Sequence, residues 1–166
     1  DQLTECVDGV IHCAAAVNRR SEHACAQGNL GACLQLVRFA QDLLRRGRLR
    51  RFVHVSTVSV AGVRHHEDVS EDDMVDLQRQ DYDCYGRTKK MADRMVRELT
   101  DPSRLVIVRP SMVIGDSQTY ETTQFHMLGT FLAMSWLPVL PVAATDRFDI
   151  VPADFVASSI VRLHKT

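Results

Sequence analysis

Tyr85 and Lys89 stand four residues apart in the run Tyr85-Gly86-Arg87-Thr88-Lys89, and Ser56-Thr57-Val58-Ser59-Val60-Ala61-Gly62 precedes them at the end of an apolar strand pattern. On a helix, a spacing of four puts two side chains on one face, one turn apart. A free tyrosine ionises near pH 10, so acid/base work near neutrality requires a shift of about three units, roughly 4 kcal/mol. One ammonium about 4 Å away, at an effective dielectric of about 20, supplies that order of energy. The expected chemistry is proton transfer to or from a substrate oxygen, with Lys89 lowering the Tyr85 pKa. Thr57 lies just past a strand pattern, at the carboxyl end where open parallel sheets bind their ligands, so its hydroxyl can share that oxygen. Ser56 and Ser59 compete for the role.

The elements that must position these residues follow from periodicity. Val10-Ile11-His12-Cys13-Ala14-Ala15-Ala16 suits a strand buried on both faces and ending in small residues. From about His23 to Arg46, apolar residues recur at Ala26, Leu30, Cys33, Leu34, Val37, Ala40, Leu43 and Leu44, the spacing of a long crossover helix. Gly47 is a C-cap candidate, and the basic cluster Arg45 to Arg51 fits a solvated helix end, where cations meet unpaired carbonyls. Arg51 to Val55 returns as a second strand. Val63 to Asp83 is polar and acidic, a long loop or lid edge. Tyr85 to Leu99 carries Lys89, Ala92, Val96 and Leu99 near one stripe and is ended by Asp101-Pro102, and Leu105 to Val108 is a third strand. Strand, helix, strand, helix, strand at these spacings is a pair of right-handed βαβ crossovers. The expected fold class is α/β, the second half of a doubly wound parallel sheet over residues 1–115. Residues 116–166 are expected to begin a substrate-covering region and return to the core.

Composition excludes several functions. With 166 residues, 45% hydrophobic and 25% charged, the chain can build one globular core and shows no sign of disorder. A net charge of -1 offers nothing to nucleic acid. Cys6, Cys13, Cys25, Cys33 and Cys84 form an odd set without a Cys-x-x-Cys pair or zinc-like spacing, which fits reduced thiols and a cytoplasmic location. The apolar tract Phe131 to Val142 is too short and too broken by proline to span a bilayer, and Asp1-Gln2-Leu3-Thr4-Glu5 is no signal peptide. His65-His66-Glu67-Asp68 reads as a solvated loop, so no metal site is expected. His12 and His54 lie in strand patterns and read as packing or satisfied polar residues. Cys84, beside Tyr85, reads as a structural thiol, since no base is positioned for it as a nucleophile.

In this order the motifs resemble the extended short-chain dehydrogenase/reductase family along nearly the whole chain. The resemblance implies a Rossmann-like fold in which His12-Cys13-Ala14-Ala15 lines the adenine and ribose side of a nicotinamide cofactor. It makes Thr57 the active hydroxyl, Tyr85 and Lys89 the catalytic pair that also holds the nicotinamide ribose, and Asn29 the support of a proton relay. Asn29-Leu30-Gly31 is one residue shorter than the family's segment. Val108-Arg109-Pro110-Ser111-Met112-Val113-Ile114-Gly115 is similar to the Arg-Pro segment that meets the nicotinamide carboxamide, placing Pro110, Ser111 and Val113 at the cofactor. Gly115 to Thr119 followed by Asp149 to Ala157 resembles the thioester reductase and fatty acyl reductase branch, often labelled male-sterility-like. The implied function is reduction of acyl thioesters or related carbonyls with NADP or NAD, NADP being favoured by the branch. The alternatives are an NAD-dependent sugar epimerase or dehydratase, a hydroxysteroid-type dehydrogenase, and a non-catalytic interaction module. The implied partner is a small-molecule or carrier-bound acyl substrate, in a homodimer or a larger multidomain chain. No Gly-x-Gly-x-x-Gly or Gly-x-x-Gly-x-x-Gly precedes Tyr85, so this stretch by itself is expected to bind cofactor poorly and to be inactive alone.

Overall fold

A short strand cannot satisfy its own backbone polar groups, and three of them in this chain do so side by side. In the computed structural model, β1 (Gly9–His12), β2 (Arg51–Val55) and β3 (Leu105–Val108) form a parallel sheet in the order β1-β2-β3. Val10 stands opposite Phe52 and Phe52 opposite Leu105, while His12 stands opposite His54 and His54 opposite Ile107. The structure describes residues 3–65, 67–72, 74–123, 125–139 and 147–166. His66 and the end of the apolar tract, residues 140–142, lie outside them.

The chain divides into two compact units. Residues up to Arg109, with Arg162–Thr166, make the first, and Pro110–Val161 the second. In the first, α1 (Leu3–Cys6) precedes β1, and the crossover from β1 to β2 is a continuous helical run: α2 (Glu22–Cys25), a π-helical segment (Ala26–Gly31) and α3 (Ala32–Arg45). Ser21 caps its start by accepting from the Ala24 backbone N–H, and Gly47, at φ +67°, follows its end in the left-handed region. Cys25, Asn29, Cys33 and Val37, spaced by four, are all buried. In a regular α-helix such a series drifts by about 40° per step. The wider π turn takes up part of that drift and keeps all four on the inner face.

The second crossover ends in α4 (Cys84–Leu99), started by Asp83, whose carboxylate accepts from the Gly86 N–H at 2.8 Å. Its buried stripe runs through Lys89, Ala92, Asp93 and Val96, whereas Leu99 is exposed; the expected stripe is right except at its last member. Val10, Cys33, Val37, Ala40, Leu43, Leu49, Phe52, Ala92 and Val96 form the core between sheet and helices. β1 ends at His12 rather than Ala16, and Ile11 on its other face is 42% exposed, so only the central strand β2 is buried on both faces. Between β2 and α4 the long polar loop is closed by Gly62 at φ +73°, where an added Cβ would meet Gln80 O at 2.8 Å. That approach sets Arg79 O to accept from Lys90 Nζ at 2.8 Å.

In the second unit, β4 (Met112–Ile114) pairs in parallel with β5 (Ile150–Pro152), and α5 (Phe125–Ser135) lies between them in sequence. α6 (Ala153–Lys165) follows β5. Asp154, in its first turn, accepts from the Ser117 N–H (2.9 Å) and hydroxyl (2.8 Å), which holds its carboxyl below the ordinary range. No helix among the described residues is long and apolar enough to cross a membrane, and all five thiols are free.

Candidate active site

At the carboxyl end of β2, Ser56 N–H donates to Val108 O at 2.7 Å and carries the ladder one residue further. Thr57 then turns the chain. Its side chain caps the 3-10 turn Val58–Ala61 by accepting from the Ser59 N–H at 3.3 Å, and its hydroxyl, which lies near the Tyr85 phenol, donates to Ser59 Oγ at 3.4 Å. The Asp83 cap brings the first turn of α4, and Tyr85 with it, against this corner. Lys89 follows one turn later, 3% exposed, and one of its three N–H donors goes to Val55 O at 2.6 Å. Thr57, Tyr85 and Lys89 are therefore gathered at the carboxyl end of a parallel sheet.

The electrostatics differ from the sequence expectation. Burial pushes the Tyr85 pKa up, and the opposing cation is Arg19, whose guanidinium stacks 5.0 Å from the ring centre; the nearby Thr57 hydroxyl also lowers it, while Asp83 and Cys25 raise it. The net direction is upward, not the lowering expected from Lys89. A helical spacing of four brings side chains to one face, but the long Lys89 stem carries its ammonium to a strand carbonyl. Burial pushes Lys89 itself down, against Cys33, Asp93 and Cys13. At neutral pH the Tyr85 phenol is protonated and suited to donate a proton.

Asn29 is buried and its amide is fully committed. Oδ1 accepts from Ala16 N–H (2.8 Å), and Nδ2 donates to Ala16 O (3.2 Å) and to the Thr88 hydroxyl (2.9 Å). Thr88 in turn donates back to Cys84 O at 2.8 Å. Close approach here requires Gly28, where an added Cβ would sit 2.6 Å from Ala16 Cβ. Asn29 is thus a strut between the loop after β1 and the start of α4. Asn29→Ala leaves the part-buried Ala16 N–H and the buried Thr88 hydroxyl without their partner and is expected to cost about 1–3 kcal/mol of stability, read from the denaturation midpoint; an unshifted midpoint contradicts the strut.

Ala14 and Ala15 lie exposed in the loop after β1. Pro110, Ser111 and Val113 belong to the second unit, where Ser111 Oγ donates to Asp149 O at 2.6 Å and Val113 pairs with Val151. Sequence reasoning missed Thr88, whose signal is a hydroxyl able to bond the preceding helical turn, and Arg19, which carries no local signal. It also missed Asp93, fully buried, which holds Arg109 through two bonds of 2.9 Å and so ties α4 to the end of β3. Arg109 keeps the Asp93 carboxyl below its ordinary range despite burial.

His12, Cys33 and His54 are buried with their potential ligand atoms within 4.8 Å of one another. Both ring nitrogens of His54 lack a hydrogen-bond partner, so of the two expected roles it takes packing, its ring centre 5.2 Å from that of His12. Burial, with Lys89 and His12, pushes its pKa down to about 3, and burial raises Cys33 to about 11. The Lys89 charge acts on all three groups and opposes a second cation among them.

The residues present fit one end of a nicotinamide cofactor. The buried Lys89 ammonium, with donors to spare, suits a ribose, the Tyr85 phenol and Thr57 hydroxyl lie at the same end of the sheet, and the exposed Ala14 and Ala15 leave room for a flat group. The pyrophosphate finds no glycine-rich loop within the 166 residues.

Comparison with known proteins bears on the fold and the family. The chain is 28% identical over 166 residues to the glycine betaine reductase ATRR of Emericella nidulans, covering 98% of this chain and 13% of that protein. The terminal R domain of the myxalamid PKS-NRPS biosynthetic pathway superposes with a TM-score of 0.84 at 26% identity, over 99% of this chain and 42% of the other. A UDP-glucuronic acid 4-epimerase from Bacillus cereus, 22% identical over 98% of this chain and 51% of its own, shares the fold with a TM-score of 0.67. The chain thus spans a fraction of each of these proteins. The pattern of the male sterility protein family matches residues 1–160, through the Rossmann-like sheet and the segment after it, and the chain belongs to that family of NAD(P)-binding, reductase-type domains.

Proposed function

We propose that the protein of which this chain is part reduces acyl thioesters, or closely related carbonyls, with a nicotinamide cofactor, NADPH being favoured over NADH by the resemblance to the thioester reductase branch. The observation that carries this reading is the placing of a protonated Tyr85 phenol and the Thr57 hydroxyl together at the carboxyl end of β2. When bound, a reduced nicotinamide would supply the hydride that the thioester carbon takes up. Thr57 and Tyr85 hydrogen-bond the carbonyl oxygen as charge develops on it, and Tyr85 gives that oxygen its proton. The resulting hemithioacetal releases thiol and aldehyde. Lys89 holds the ribose hydroxyls, and the Arg19 guanidinium keeps positive charge near the phenolate that Tyr85 becomes. Asn29 positions the loop after β1, with Thr88 as its anchor on α4.

The similarity to an R domain and to a glycine betaine reductase supports a carboxyl-derived substrate, handed over on a carrier. Full-length protein mixed with NADPH or NADH and an acyl coenzyme A or acyl carrier thioester should oxidise the cofactor and yield aldehyde. Turnover confined to nucleotide sugars or secondary alcohols would instead favour an epimerase-type or dehydrogenase activity. A full-length protein that binds neither nucleotide would favour a non-catalytic module.

A further inference from the structure

Next to the site, but used by none of its steps, is a pair of thiols. Cys25, in α2, is fully buried, and Cys84, the first residue of α4, is partly exposed. Their sulfurs lie 3.8 Å apart. Both also face one stretch of backbone in the loop after β1: Cys25 Sγ is 3.1 Å from Asn18 O, and Cys84 Sγ is 3.0 Å from Arg19 O. Arg19 stacks on the ring of Tyr85, the residue after Cys84.

We propose that Cys25 and Cys84 are an oxidation site at which a hydroperoxide converts the two thiols into a disulfide, releasing the Asn18–Arg19 backbone and with it the Arg19 guanidinium from Tyr85. A disulfide needs a sulfur separation of about 2.0 Å, which the pair reaches by a movement of under about 2 Å. Cys84 is the more accessible sulfur and meets the oxidant first. Its sulfur attacks one peroxide oxygen, the O–O bond breaks, and the leaving oxygen takes up a proton as water or alcohol. Cys25 then attacks the Cys84 sulfenic acid; the S–O bond breaks, and the departing hydroxide takes the Cys25 proton and leaves as water. Two thiols lose two electrons and the peroxide gains them. Burial and the neighbouring Cys84 hold Cys25 as a thiol, consistent with its acting second. A disulfide sulfur carries no hydrogen, so Asn18 O and Arg19 O both lose their thiol donors.

Full-length protein is treated with hydrogen peroxide, its remaining thiols alkylated, and its tryptic peptides weighed without reduction. Cys25 falls in residues 21–38 and Cys84 in residues 80–87. The expected product is these two peptides joined, two hydrogens lighter than their sum, with fragment ions placing the link at Cys25 rather than Cys33, split by dithiothreitol and absent from Cys25→Ala and Cys84→Ser. Oxidation of Cys84 to sulfinic acid without a linked peptide, or a link through Cys33, overturns the site. Limited trypsin cleavage after Arg19 or Arg20 should accelerate several-fold on oxidation of the wild type and stay unchanged in Cys84→Ser. An unchanged rate in the wild type overturns the release of the loop. Neither measurement depends on reductase activity.

Discussion

Tyr85→Phe in the full-length protein lowers turnover of a carbonyl substrate by about 10²–10⁴-fold and leaves nicotinamide binding nearly unchanged. The change deletes one oxygen and keeps the aromatic ring on which Arg19 stacks, so packing at the start of α4 survives. What disappears is the phenolic oxygen near Thr57 and, with it, the proton donor. Because burial raises the Tyr85 pKa, the wild-type phenol stays protonated through neutral pH, and kcat for reduction should be flat there and fall only on the alkaline side, where the phenol ionises. Steady-state kcat over a pH series, with a cofactor titration beside it, checks both statements. Wild-type turnover by the variant removes Tyr85 from the chemistry.

His54→Phe flattens the acid side of the stability curve. His54 sits in the central strand at 1% exposure, without a partner for either nitrogen, and its folded pKa is pushed down to about 3. In the unfolded chain it titrates near 6.5. Between those values the unfolded state holds a proton that the folded state refuses, so stability rises with pH. The contribution is complete above pH 6.5 and is lost as pH falls towards about 3, at up to about 1.4 kcal/mol per pH unit. Between pH 7 and pH 5 the loss is about 2 kcal/mol, a large share of the 5–15 kcal/mol that typically holds a domain together. In the variant this loss vanishes, while the smaller one from His12, whose pKa is also lowered, remains. Denaturant unfolding of both proteins at pH 7 and pH 5 makes the comparison; equal losses would show that His54 takes up its proton in the folded state.

Much of the arrangement is legible without coordinates because it depends on near neighbours in the chain. The strands at Arg51–Val55 and Leu105–Val108, the helix from Cys84 to Leu99, and the turn at Gly47 follow from periodicity, capping and backbone sterics, which act over a few residues. The order of these elements implies parallel crossovers, and crossovers imply a ligand site at the carboxyl ends of the strands. Tyr85, Lys89 and Thr57 could be named on that ground alone.

What each of them touches was not legible. Asn29 reaches Thr88 across 59 positions, and Cys25 lies as far in sequence from Cys84. Arg19, on a loop without periodicity, is the cation at Tyr85, while Lys89 turns to Val55 O. Spacing says which face of an element a side chain shares; it does not say what the facing element presents or where a long, flexible stem finds its partner. The sequence by itself determined the parallel α/β order and the residue types that can move a proton. Only the tertiary structure decided the direction in which the Tyr85 pKa moves, the commitment of Asn29 as a strut, and the pairing of two thiols beside the phenol, because burial and charge at a site are set by residues distant in the chain.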